Sequence, residues 1–136
     1  MLDEFIARYD GMFGRFEEDD GMAISPDGDN ESMVTYEVCE DIVDSYTKKV
    51  DFIENKRKKV TPMGKMVDFD CPYGFDDYYA CILNYNLMGK MGGFLYFTGR
   101  RGNVLAFAKA YHTSEKEQIP DEGRDEFIRT IYDCIE

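Results

Sequence analysis

The chain has one histidine, His112, in 136 residues, and its four cysteines, Cys39, Cys71, Cys81 and Cys134, form no C-x-x-C pair. That spacing argues against zinc ribbons and thioredoxin-type redox chemistry. A Cys₃His zinc site completed by His112 would lack the close ligand pair that nucleates such sites, so the cysteines read as buried thiols. No G-x-S-x-G elbow, P-loop or G-x-G-x-x-G run occurs, which leaves nucleophilic and nucleotide chemistry without sequence support. The opening residues Met-Leu-Asp-Glu-Phe have neither the basic nor the apolar region of a secretory signal, and the cytoplasm is the expected location. Residues 78–98 carry a single charge, Lys90, but Asn84, Asn86, Gly89, Gly92 and Gly93 interrupt them. Amides and broken backbone are expensive in lipid, and two buried strands joined by a glycine-rich loop explain the stretch better.

Basic residues are nearly missing from the first third. Residues 1–47 hold only Arg8 and Arg15 against fourteen acids: Asp3, Glu4, Asp10, Glu17, Glu18, Asp19, Asp20, Asp27, Asp29, Glu31, Glu37, Glu40, Asp41 and Asp44. The remaining residues are balanced, so the whole net charge of −12 lies in this segment. Crowded like charges repel in the compact state and add no stability, which marks the segment as a candidate functional surface aimed at something basic.

What is present is enough for one proper core. The length suits a single globular domain over 1–136, and ten Phe with ten Tyr supply more aromatic area than a disordered chain carries. Leu2, Phe5, Ile6, Tyr9, Met12, Phe13 and Phe16 recur at helical spacing and predict a first helix over about 2–16, weakened by Gly11 and Gly14. Residues 17–31, with seven acids, two glycines and a proline, read as a loop. Val38, Cys39, Ile42, Val43, Tyr46, Val50 and Ile53 trace a second helix over about 32–58, acidic in its first half and basic in its second, as the macrodipole favours.

From Val67 the period changes. A short strand leads into the turn Cys71-Pro72-Tyr73-Gly74; strands follow near 78–86 and 94–98, and a hairpin tip is expected at Gly99–Asn103. Residues 104–112 fit both periods, with a strand favoured, and a final helix is expected over about 121–135. The expected architecture is α+β: two N-terminal helices, a mainly antiparallel sheet of about four strands and a C-terminal helix.

Chemistry-bearing patterns are sparse. An EF-hand loop starting at Asp27 would place Asp29 and Glu31 correctly but puts Ser32 where glycine is needed and Val38 where glutamate is needed. Glu54-Asn55-Lys56 matches the E-x-K fragment of many nucleases, yet it falls in a helix where Glu54 can pair with Lys58. Asp68, Asp70, Asp76 and Asp77 cluster around the first hairpin, where a small metal-dependent hydrolase would find ligands and where turn capping also wants carboxylates. Arg100 and Arg101 between two glycines suggest either an anion-binding tip or solubilising charge. His112 reads as structural.

The pattern therefore points to a non-catalytic acidic protein, with no cofactor or metal, that inhibits or masks a basic, nucleic-acid-handling protein. Toxin-immunity proteins and phage anti-defence proteins of the anti-CRISPR kind share this small, acidic, motif-free profile. The expected partner-binding residues are Glu17, Glu18, Asp19, Asp20, Asp27, Asp29, Glu31, Glu37, Glu40, Asp41 and Asp44. Tyr36, beside Tyr46 and Phe16, would be an aromatic anchor. Direct binding of nucleic acid is not expected, because phosphates would be repelled, and neither is membrane association. The alternatives are a secretion or assembly chaperone, which would dimerise around an apolar groove, and a small metal-dependent hydrolase using Asp68, Asp70, Asp76 and Asp77.

Overall fold

The computed structural model describes residues 1–59, 62–113 and 117–136. Its centre is one antiparallel sheet of seven strands: β1 (Glu17–Asp19), β2 (Met22–Asp27), β3 (Asn30–Val38), β4 (Val67–Asp68), β5 (Asp77–Leu87), β6 (Lys90–Arg101) and β7 (Val104–His112), in the spatial order β1-β2-β3-β7-β6-β5-β4. Two meanders meet where β3 pairs with β7, from Met33 opposite Lys109 to Val38 opposite Val104. The helices are α1 (Leu2–Arg8), α2 (Ile42–Arg57) and α3 (Asp121–Asp133).

This corrects the expected architecture at its N-terminal side. The sheet has seven strands rather than about four, the first helix stops at Arg8 rather than near 16, and residues 17–38 form a three-stranded meander instead of a loop and a helix start. The turns explain the difference. Asp20 and Gly21 have φ of 54° and 78°, the left-handed pair of a two-residue hairpin turn that matches strand twist, and Gly28-Asp29 connects β2 to β3. Period-two alternation in β2 and β3 is masked because buried positions carry Ser25 and Ser32 as well as Ala23 and Val34. Their hydroxyls are satisfied at long range: Ser25 donates to the Phe13 carbonyl at 2.7 Å, and Ser32 accepts from the Tyr111 N–H at 3.0 Å. A buried hydroxyl is tolerated only with such a partner, and the sequence does not show the partner.

The helical spacing of Phe5, Tyr9, Phe13 and Phe16 has a different origin. Beyond Arg8 the backbone turns extended at Tyr9, and the four rings gather around Phe127 of α3 at centroid distances from 4.8 Å to 6.0 Å. Each buried ring of this kind contributes about 2–3 kcal/mol relative to exposure. Ala106, Ala108 and Ala110 of β7 lie fully buried beneath this layer, and their small side chains let it approach the sheet closely.

On the opposite sheet face the cover is partial. Helix α2 buries only Ile53, against Cys81, Leu83, Phe107 and Met66, and packs chiefly across β6 and β7. The second helix thus begins at Ile42 rather than near 32. Residues 104–112 are a strand, and so are Gly99–Arg101, which belong to β6 rather than to a hairpin tip; the turn there is only Gly102-Asn103.

Candidate interaction surface

Because successive side chains of a strand point to opposite faces, register decides which acids share a surface. On the α2 side, Glu17 of β1 lies opposite Ile24 of β2, Ile24 opposite Met33 of β3, and Met33 opposite Lys109 of β7. Asp19 lies opposite Met22, and Pro26 opposite Glu31. Met22, Ile24, Met33 and Thr35 are all half-buried, whereas Ala23, Ser25, Ser32 and Val34, facing α1 and α3, are buried. The β1–β3 half of this face therefore presents an apolar strip with Glu17 and Asp19 on its outer edge and Glu31 and Glu37 on β3, all four exposed. A charged edge strand also discourages another sheet from pairing there.

The other expected partner-binding residues are placed differently. Glu18 alternates to the opposite side of β1, Asp20 sits in the β1–β2 turn, and Asp29 lies in the β2–β3 turn. Asp27 accepts from both the backbone N–H and the hydroxyl of Thr113 at 2.9 Å, tying down the segment after β7. Glu37, Glu40, Asp41 and Asp44 are not stacked along one helix: Glu37 is on β3 and Glu40 precedes α2. Asp41 is the α2 N-cap, accepting from the Asp44 N–H at 3.1 Å, and Asp44 pairs with Lys48 at 2.9 Å. Part of this negative charge is thus ordinary helix capping.

Of the aromatic residues expected beside the acids, Tyr36 and Phe16 take part in the core. Tyr36 faces α3, where its hydroxyl donates to the Ile131 carbonyl at 2.7 Å, and burial pushes its phenol well above the ordinary range. Phe16 is buried in the same core. Tyr46 is half-buried on α2, its phenol pushed up to about 12 by burial first and by Asp77 second. The apolar contacts beside the acids are instead Met22, Ile24 and Met33. Their signal in the sequence was alternation between two glycine-containing turns.

The carboxylates of the first hairpin are engaged in structure. Asp68 pairs with Arg57, Asp76 accepts from the Gly102 N–H at 2.8 Å, and Asp77 pairs with Arg100 at 2.8 Å. Asp70 shares a small cavity of about 260 Å³ with Asp68, Tyr78 and Tyr79. Among the described residues no group of three or more His, Cys, Asp or Glu side chains is arranged to hold a metal ion. Glu54 and Lys56 lie two apart on α2 and do not face each other. His112 Nε2 lies 3.0 Å from a Glu117 carboxylate oxygen. The four cysteines are free and buried, and burial pushes the Cys71 thiol up to about 12 and Cys81 up to about 11, so neither supplies a thiolate near neutrality. Arg100 is held by Asp77, and Arg101 lies over the Tyr132 ring at 4.9 Å, which replaces the anion-binding tip with two structural contacts.

Compared with known proteins, the chain matches no family model and no curated sequence. Among the described residues no helix is long and apolar enough to cross a membrane.

Proposed function

We propose that this chain is a non-catalytic acidic binding protein that docks on a basic, nucleic-acid-handling protein and masks it, in the manner of a toxin-immunity or anti-CRISPR protein acting in the cytoplasm. The observation that carries this reading is the partly covered α2-side face of β1–β3, where the half-buried Met22, Ile24 and Met33 lie within a frame of the exposed Glu17, Asp19, Glu31 and Glu37. The two components do different work. Complementary charge speeds encounter and rejects wrong partners, while desolvated apolar side chains near the centre of a contact supply most of its affinity.

Size sets how far the contact reaches. Three strands spaced about 4.8 Å apart and about six residues long present roughly 300 Å², well under the roughly 800 Å² that a standard interface takes from each partner. The interface therefore extends past Glu37 to the acidic start of α2 at Glu40, Asp41 and Asp44, or across β7 to Lys109 and Tyr111.

Affinity capture from the source cell with wild type, a Glu17→Lys/Glu31→Lys/Glu37→Lys variant and a Met33→Asp variant tests the proposal. Asp41 is left alone because its replacement would also uncap α2, at about 1 kcal/mol. Wild type should retain a basic protein at about 0.05 M salt and hold it less well at about 0.5 M, where charges are screened within a few ångströms. Both variants should lose it while still unfolding cooperatively, the triple Lys variant at unchanged melting temperature and Met33→Asp at a lowered one, because Met33 packs in part against the Ile53–Phe107 cluster. Retention by the folded variants overturns the proposal, and so does self-association through this face as the only interaction that Met33→Asp abolishes.

A further inference from the structure

The same sheet face has a second, oppositely charged end. A cavity of about 280 Å³ opens between the last turn of α2 and the β6–β7 pair, lined by Lys56, Arg57, Lys59, Phe94, Tyr96 and Tyr111 among others. Its floor is aromatic: Phe94 stands edge-on to Tyr96 at 6.4 Å and lies tilted against Tyr111 at 5.9 Å, and all three residues are half-buried, Phe94 and Tyr96 packing from below against the Ile53–Phe107 cluster. Lys109, directly across from Tyr96 in the β6–β7 register, adds a further cation on this side of the sheet.

The cations differ in what they can do. Arg57 is spent on structure, donating to Asp68, to the Tyr79 hydroxyl at 3.0 Å and to the Met66 carbonyl at 3.0 Å, so it forms a fixed wall of neutralised charge. Among the described residues neither Lys56 nor Lys59 is in an ion pair; Lys56 rests over the Phe52 ring at 5.4 Å, close enough to swing toward the cavity. Dipole matching alone explains basic residues at a helix end. It does not explain why they rim a cavity whose floor is formed by the half-buried rings of Phe94, Tyr96 and Tyr111.

We propose that this cavity binds a nucleoside monophosphate, the base lying on Phe94 and Tyr111 with the Tyr96 ring edge-on beside it, and the phosphate paired with Lys56 and Lys59. Stacking on such a floor is worth about 1–3 kcal/mol per base and tolerates any base, and the lysines supply charge-assisted hydrogen bonds to phosphate oxygens. The volume of about 280 Å³ lies just below the usual range of ligand sites, about 300–1,000 Å³, so the cavity can take no more than one nucleotide, held partly in its open mouth. The net charge of −12 does not forbid this. Acids more than about 8 Å away are largely screened at physiological salt, whereas the lysines act in contact.

Titration by calorimetry, with AMP, GMP, CMP and UMP as probes and adenosine and inorganic phosphate as halves, tests the site alongside amide shifts by NMR. The expected result is micromolar to millimolar binding of at least one nucleotide, with shifts centred on Phe94, Tyr96 and Tyr111. Adenosine and phosphate should each bind at least about tenfold more weakly. Lys56→Ala/Lys59→Ala, with Lys59 exposed and Lys56 half-buried over Phe52, should weaken the nucleotide about tenfold or more in a protein whose Tm is checked alongside. The proposal is overturned if no nucleotide binds at about 10 mM, if the lysine variant binds as wild type does, or if phosphate alone binds as tightly as the nucleotide.

Discussion

Removing one oxygen from Tyr36 separates a structural role from a binding role. Helix α3 ends at Asp133, the Cys134 N–H bonds the Thr130 carbonyl at 3.2 Å, and the Ile135 N–H turns back to Tyr132 at 3.1 Å. The Ile131 carbonyl is thus one of the last-turn acceptors that an α-helix leaves without a backbone donor. Ile131 is fully buried, and the Tyr36 hydroxyl of β3 meets its carbonyl at 2.7 Å. Tyr36→Phe keeps the ring and its packing but strands that carbonyl. Losing one partner of a buried pair costs about 1–3 kcal/mol. For a domain of this length about 1 kcal/mol lowers Tm by roughly 3–5 °C, so a central cost of about 2 kcal/mol should lower Tm by roughly 6–10 °C, with an unchanged urea m-value. Scanning calorimetry and urea titration of the two proteins read this directly. A fall of less than about 1 °C would refute the bond's energetic role, and partner affinity lost at unchanged Tm would refute the placement of Tyr36 away from the interface.

Two further predictions use the same core. At Gly99 an added Cβ would lie 2.7 Å from the Phe97 ring and 2.8 Å from Phe75, whose ring packs on Phe97 at 5.1 Å and Tyr132 at 5.0 Å; Gly99→Ala should therefore destabilise by about 1–3 kcal/mol through overpacking, and an unchanged urea midpoint would show that Phe75 moves aside freely. Tyr9 is pushed from 10.0 up to about 12, and Tyr36 is raised further, mainly by burial. Below pH 10 both phenols are neutral whether folded or unfolded and stability is complete; above it only the unfolded chain releases the protons. Stability should then fall by up to about 1.4 kcal/mol per pH unit for each tyrosine, and a flat urea midpoint from pH 10 to about 12 would contradict this.

How much of the molecule was legible depended on where its polar groups found partners. The last helix and the centres of the strands near 78–86 and 94–98 could be read because their buried positions are apolar, as in Phe127, Ile128 and Ile131 or Leu95 and Phe97, whereas glycines hid both ends of β6 and residues 104–112 fitted either period. The first meander could not be read in the same way. Its buried positions include Ser25 and Ser32, made acceptable only by Phe13 and Tyr111 from distant segments, and acids hid turns that glycine had marked. Phe5, Tyr9, Phe13 and Phe16 mimicked a helix because one ring, Phe127, gathers them from both sides of a chain reversal.

The sequence by itself determined that all net charge resides in residues 1–47, that no familiar catalytic motif accompanies it and that the cysteines would be buried thiols. Those are properties of composition and spacing, which survive any arrangement of the elements. Tertiary structure alone decided which acids share a surface. Antiparallel register puts Glu17, Asp19, Glu31 and Glu37 around Met22, Ile24 and Met33, assigns Asp27 and Asp41 to holding the fold, and turns Tyr36 inward. A shift of one residue in a strand exchanges its two faces, so a surface built from alternate residues of three strands is specified only once those strands have paired.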